Sequence, residues 1–287
     1  MTNFAVRFYV NKNVVKRTVL KRNMNKFIYV LLLAGVISSC GEYQKALKSE
    51  DVAVKFDAAT KQYEAEKYNK AIRLFEQIAP AYRGKKEAEN LFYMFAQSYY
   101  KTKQYYLAGY QFESFASLYP NSTKAEEAAF LGAKSYAELS PVYSLDQTDT
   151  DKAIMKMQSF IDKYPNSQYI SEANATMKTL SGKLEKKAFE IAKQYNTISD
   201  FKSAIKALDN FVSDFPGTSY KEKALYYKFD SSYQLAINSV PSKMEERLNA
   251  AKAAYESLLK FNSNTEFKIT ADEKLVRIDK ELQQFSK

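Results

Sequence analysis

One apolar spacing recurs five times along this chain. Ala71, Ala108, Ala153, Ala204 and Ala251 are each followed four residues later by a large apolar side chain: Phe75, Phe112, Met157, Leu208 and Tyr255. Three residues further on stands another: Ile78, Phe115, Phe160, Phe211 and Leu258. Steps of four and three place all three positions of a copy on one face of a helix. The alanine lets a neighbouring helix approach, and the larger side chains fill the space beside it. The helix ends recur too, in Tyr119-Pro120-Asn121-Ser122, Tyr164-Pro165-Asn166-Ser167 and Phe215-Pro216-Gly217-Thr218. Proline has no amide donor and restricts the residue before it, so each helix is predicted to stop there. Tyr82-Arg83-Gly84 occupies the same place in the first copy without a proline. Thr123-x-x-Glu126 and Ser219-x-x-Glu222 read as capping boxes that start the following helices.

A partner helix precedes each alanine-led helix, seen best in Phe92, Phe95, Ala96 and Tyr99, then Tyr105, Ala108, Phe112, Phe115 and Pro120. This run resembles the tetratricopeptide repeat, with Phe where that family often carries Trp. Other copies match through Ala59, Tyr68 and Ala71; Gly132, Ala133, Tyr136 and Ala153; Ala192, Tyr195, Phe201 and Ala204; and Leu225, Phe229, Tyr233 and Ala251. The predicted fold is all-α, a right-handed superhelical solenoid of about five tetratricopeptide-like helix pairs. The pairs span roughly 52–86, 87–123, 124–168, 169–219 and 220–265, with a C-terminal helix at 266–287.

Such a repeat is about 34 residues long, and the intervals between successive alanines here are 37, 45, 51 and 47. The excess in the third copy is assigned to a loop from Leu139 to Thr150. In the fourth it is assigned to a first helix lengthened by about four turns between Ser171 and Lys187. In the fifth it includes Asn238 to Met244, broken by Pro241. Repeat arrays of this kind bind extended segments or partner helices on the surface lined by their first helices. The inward positions expected there are Phe56, Tyr63, Tyr93, Gln97, Tyr100 and Phe130, with Lys134 nearby. Rings with a polar tip and an amide suit an extended segment with apolar anchors.

Upstream of the repeats the character of the chain changes. Met24-Asn25-Lys26, the eleven apolar residues Phe27 to Ile37, and Ser38-Ser39-Cys40-Gly41 form the three parts of a secretory signal. Eleven residues are too few for a bilayer span, which takes about 20. Ile37-Ser38-Ser39-Cys40 resembles a lipobox, so 24–39 is read as a lipoprotein signal peptide and Cys40 as the site of lipid attachment. Cys40 is the chain's single cysteine, so no internal disulfide can form, and lipidation accounts for the thiol. Residues 1–23, basic and without acids, read as an upstream extension or a mis-assigned start. Residues 40–51 read as a lipidated tether, and 52–287 as the repeat array.

The formal charge of +10 shrinks once the leader is set aside. Seven basic residues lie in 1–39, which leaves 36 basic against 33 acidic residues from Cys40 onward, a balance of +3. With both signs interspersed, no stripe that tracks phosphates is expected, and no nucleic-acid partner. The chain has no histidine. That removes the commonest general base and metal ligand. No catalytic group, metal or cofactor is expected.

A lipobox followed by five such repeats, with Tyr-Pro-Asn-Ser at their junctions, resembles the BamD family of lipoproteins, also called ComL-like or YfiO-like. That resemblance implies a part in the outer-membrane β-barrel assembly machinery. It implies two partners, unfolded outer-membrane proteins at the first repeats and the periplasmic domains of the barrel insertase at the last. Gly41 after the lipidated cysteine, and no acidic cluster following it, favour the periplasmic face of the outer membrane. Two other readings stay open: a periplasmic adaptor in cell-envelope or division machinery, and a glycan-binding surface lipoprotein.

Overall fold

The computed structural model describes residues 41–85 and 87–285, and every regular element among them is a helix. Residues 41–48 are helical. Eleven longer helices follow, in pairs: α1 (Val52–Glu64) with α2 (Tyr68–Tyr82), α3 (Ala88–Lys101) with α4 (Tyr105–Leu118), and α5 (Ala125–Leu139) with α6 (Thr148–Lys163). The fourth pair is α7 (Ile170–Thr197) with α8 (Phe201–Asp214), and the fifth α9 (Lys221–Ile237) with α10 (Pro241–Phe261); α11 (Lys268–Leu282) stands alone at the end. The chain divides into two compact units after Gly132. The signal peptide, the 1–23 extension and Cys40 lie outside the described residues.

All fifteen positions of the recurring spacing are buried. The five alanines are fully inaccessible, and Phe75, Phe112, Met157 and Leu208 are equally so, with Tyr255 the most exposed of the set at 9%. In the first unit α1 packs on α2 and α3, and α3 on α4. In the second, α7 packs on α8 and α9, and α9 on α10 and α11. Thus α1 touches α3, α7 touches α9 and α9 touches α11, so α11 takes the place of the first helix of an incomplete sixth pair.

Four junctions share one hydrogen-bond pattern. Amides of Tyr119, Tyr164, Phe215 and Asn262 donate to the carbonyls of Phe115, Phe160, Phe211 and Leu258, and close the preceding helix. At three of them the helix's last ring packs on the junction ring: Phe115 on Tyr119 at 5.2 Å, Phe160 on Tyr164 at 5.6 Å, Phe211 on Phe215 at 5.3 Å. The hydroxyls of Ser122, Ser167, Thr218 and Thr265 each accept the amide two residues on. The capping boxes expected at Thr123 and Ser219 are thus displaced by one residue, to the hydroxyl that directly follows Asn or Gly. The fifth junction, which has no proline, makes the same turn through Thr265, whose hydroxyl reaches back to Glu222 as that of Ser122 reaches back to Glu89.

Within pairs the turns are tight. At the ends of α1, α3 and α7, Glu66, Lys103 and Ser199 adopt φ of 55°, 59° and 65°. The amides of Lys67, Gln104 and Asp200 reach the carbonyls of Gln62, Tyr99 and Tyr195, the bond that closes a helix through a left-handed residue. A side chain in that conformation costs roughly 1–2 kcal/mol. Glycine avoids that strain but loses about 0.5–1 kcal/mol more in chain entropy on folding. Lys103→Gly is therefore expected to raise the melting temperature slightly, by about 0.5 kcal/mol of stability; a lowered midpoint in thermal denaturation would refute this.

Three expectations change. Residues 41–48, read as tether, form helix, with Tyr43 and Ala46 buried in the first unit's core and Lys70 Nζ 5.0 Å above the Tyr43 ring. The fifth pair is lengthened by its helices rather than by a loop: only 238–240 separate α9 from α10, and Pro241 opens α10 instead of breaking it. Proline suits a first helical position, where its missing amide has no intrahelical partner. Tyr195 is 36% exposed and does not pack as a core position. The long first helix of the fourth pair is present as α7, 28 residues in length.

Candidate functional site

In the first unit, the first helices bring a polar and aromatic group together. On α3, Asn90, Tyr93, Gln97 and Tyr100 stand three or four residues apart and share one helix face. Gln97 Nε2 donates to Tyr93 Oη at 2.9 Å. The Tyr93 hydroxyl also meets the Glu127 carboxylate of α5. Lys124 Nζ sits 4.4 Å from the centre of the Tyr93 ring and 3.5 Å from Asn90 Oδ1. Tyr63 of α1 lies close enough to feel the Glu127 charge, and packs edge-on against Tyr68 at 5.7 Å.

Electrostatics fix the protonation of this group. Burial pushes the Tyr93 phenol well above its ordinary range, and the Glu127 carboxylate pushes the same way, against the opposing hydrogen bond from Gln97. Tyr63 is raised by burial first, then by Tyr68 and Glu127. Both phenols are hydrogen-bond donors throughout neutral pH. The cluster thus offers hydroxyl donors, an amide that both donates and accepts, and a carboxylate acceptor beside half-buried rings. Backbone amides and carbonyls of an extended segment could pair with such a row.

The six expected inward residues do not all serve alike. Tyr63, Gln97 and Tyr100 are half-buried. Tyr93 is 7% exposed, its ring held edge-on by Phe115 at 5.5 Å and Phe112 at 6.2 Å. Only its hydroxyl end belongs to the polar row. Phe130, 2% exposed, is a core residue and presents nothing to a ligand. Phe56 is half-buried and stacks on Tyr82 of α2 at 5.2 Å, so its ring joins the two helices of its own pair. Lys134 pairs with Glu172 in the second unit. Asn90, Lys124 and Glu127 were not expected. Asn90 shares the helical stripe of Tyr93 and Gln97, and Lys124 and Glu127 stand three apart, which was the available signal.

The second unit has its own polar group on first helices. Asp230 of α9 forms an ion pair with Lys274 of α11 and accepts from Asn196 Nδ2 of α7 at 2.8 Å. Lys274 lies over the rings of Tyr226 and Tyr233, each at 5.6 Å. Burial alone would lower the Lys274 pKa, but the Asp230 hydrogen bond and charge outweigh it and leave it raised. Among the described residues no cluster of three or more His, Cys, Asp or Glu could hold a metal ion. None of the described helices is long and apolar enough to cross a membrane.

Among solved structures, the TPR2AB-domain:pHSP90 complex of yeast Sti1 is similar at 16% identity, over 79% of this chain and 98% of that one. Its TM-score of 0.34 is too low to bear on function. No curated protein matches the chain. The family described as outer membrane lipoprotein, YfiO, matches residues 48–249, a span that takes in the first four helix pairs and the polar row of the first unit. By that match over most of its length, the chain belongs to the YfiO family of outer membrane lipoproteins.

Proposed function

We propose that this protein is a non-enzymatic assembly scaffold for outer-membrane proteins, anchored by lipid at Cys40 to the periplasmic face of the outer membrane. Its first unit receives an extended segment of an unfolded barrel protein along Tyr63, Gln97, Tyr100 and the Tyr93 hydroxyl. Other surfaces dock the periplasmic domains of the barrel insertase. Membership of the outer membrane lipoprotein family carries this reading. The row of phenols, amide and carboxylate supports it, since main-chain groups of a segment without secondary structure need partners of both kinds.

Co-purification from detergent-solubilised envelope tests the proposal. Recovery of a large outer-membrane barrel with periplasmic domains is the expected result. Recovery of division or cell-wall proteins in its place would overturn it in favour of an envelope adaptor. The anchor is tested separately. Cys40→Ala is expected to abolish lipid attachment and leave the precursor uncleaved at that position; fatty-acid labelling that persists in the variant would refute the assignment.

A further inference from the structure

We propose that the 41–48 helix seats the first unit directly on the lipid bilayer. With Cys40 acylated, no tether separates the repeats from the membrane, and the exposed side of this helix is a lipid-contact surface. The inference rests on lipid attachment at Cys40 and adds to it a fixed seat in place of a leash.

The helix is part of the folded unit. Tyr43 and Ala46, each 4% exposed, belong to one buried cluster with Ala71, Leu74 and Phe75 of α2, and Leu47 packs against the same cluster. Positions 43, 46 and 47 are three and four residues apart, so one helix face carries them all inward. The Lys70 ammonium of α2 lies 5.0 Å from the centre of the Tyr43 ring. Gly41, Glu42, Gln44, Lys45 and Lys48 are exposed. Nor is there slack between this helix and α1. The Ser49 amide donates to the Ala46 carbonyl at 3.1 Å, and the Asp51 amide to Ser49 Oγ at 3.1 Å. Asp51 Oδ1 then accepts the Ala53 amide at 2.8 Å and caps α1.

Lengths decide where this puts the unit. As an extended tether, residues 41–51 would reach about 36–40 Å. As a docked helix, 41–48 is about 12 Å long. Cys40 precedes Gly41 by one peptide bond, about 3.8 Å between α-carbons. A diacylglycerol thioether holds its sulfur at the boundary between hydrocarbon and headgroups, and the headgroup layer is about 5–8 Å deep on each side. The first turn of the helix therefore lies among the headgroups, and Tyr43, locked in the core, brings the first unit with it. The covalent lipid selects the occupant, and charge does not. Lys45, Lys48 and Lys70 stand against Glu42, Glu50 and Asp51, a balance that suits zwitterionic headgroups.

The test uses the full mature lipoprotein in phosphatidylcholine vesicles that carry nitroxide on their headgroups. Cys40 is the chain's single cysteine and its sulfur is taken up by lipid, so Lys45→Cys supplies one site for a fluorophore. Strong quenching of that fluorophore is expected. Gly and Ser residues, ten in all, inserted between Cys40 and Gly41 add a mean reach of about 17–19 Å and should cut the quenching about threefold. Tyr43→Ala should free the helix and lower the quenching as well. Tyr43→Phe should match the parent, because it keeps the ring and removes a buried hydroxyl that has no hydrogen-bond partner. Weak quenching in protein that carries the acyl label would overturn this proposal alone, since the helix would then leave the core and act as a tether. Equal quenching with and without the insertion would overturn it too, since adhesion of the unit would then hold it in place of the docked helix. Absence of fatty-acid label at Cys40 would overturn the anchor, and the seat with it.

Discussion

Phe112→Ala is expected to destabilise the first unit by about 3–5 kcal/mol, the range measured for truncating a fully buried phenylalanine. Phe112 has no accessible surface, and the edges of Tyr93 and Tyr100 meet it at 6.2 and 6.3 Å. The opposite side is closed by α5, where a β-carbon added to Gly132 would lie 3.2 Å from Phe112 Cβ. Helices held this close by glycine cannot collapse far into the vacated space, so the cavity term is retained. Tyr110, two residues away on the same helix, is 61% exposed. Its replacement by alanine should stay within about 0.5 kcal/mol. Urea denaturation of both variants, read as a shift in midpoint at constant slope, makes the comparison. Similar midpoints for the two would mean that α4 does not turn its Phe112 face inward.

The second large effect concerns binding. Tyr63→Ala combined with Tyr100→Ala is expected to weaken binding of an extended outer-membrane-protein segment ending in an aromatic residue by about thirtyfold. Truncated anchor aromatics commonly cost about 2 kcal/mol, which is that factor. Both rings are half-buried, so a share of their stabilising area is lost as well. A fully buried aromatic contributes about 1.5–3 kcal/mol by area, and these two contribute part of that each. The melt should therefore fall by only a few degrees. Tyr93 needs the milder change to Phe, because alanine there would empty a core position. Tyr93→Phe removes the hydroxyl that joins Gln97 to Glu127 and leaves the ring against Phe115. Reduced affinity with a near-parental melt is the expected pair of results for it. Unchanged affinity in both variants would remove the first unit's row from the binding site.

The spacing of alanine, large apolar and large apolar determined which face of each second helix turns inward, because the period of a helix converts sequence distance directly into direction. Tyr-Pro-Asn-Ser, present twice, and Phe-Pro-Gly-Thr determined where three helices end, because a missing amide donor acts locally. The lengths of the insertions showed that the third and fourth pairs are embellished, and they separated a loop from an extended helix by the presence or absence of breakers.

What tertiary structure decided was depth and partnership. Tyr93 and Tyr100 fall on the same stripe of α3 and are indistinguishable by pattern. Tyr93 is buried because Phe112 and Phe115 of α4 close on its ring and Lys124 covers its face, whereas Tyr100 stays half-open. Phe130 looked inward by spacing and is core by packing. Glu127 reaches Tyr93 only once α5 is laid beside α3. Gln147 gives no sign in sequence of being buried with its amide on the carbonyls of Val142 and Leu145, and Thr265 none of replacing a proline junction. Periodicity fixes the direction in which a side chain leaves its own helix. How far it then lies from water, and which group it meets, depends on the distance and rotation of the neighbouring helices, and those are set by contacts between residues far apart in the chain.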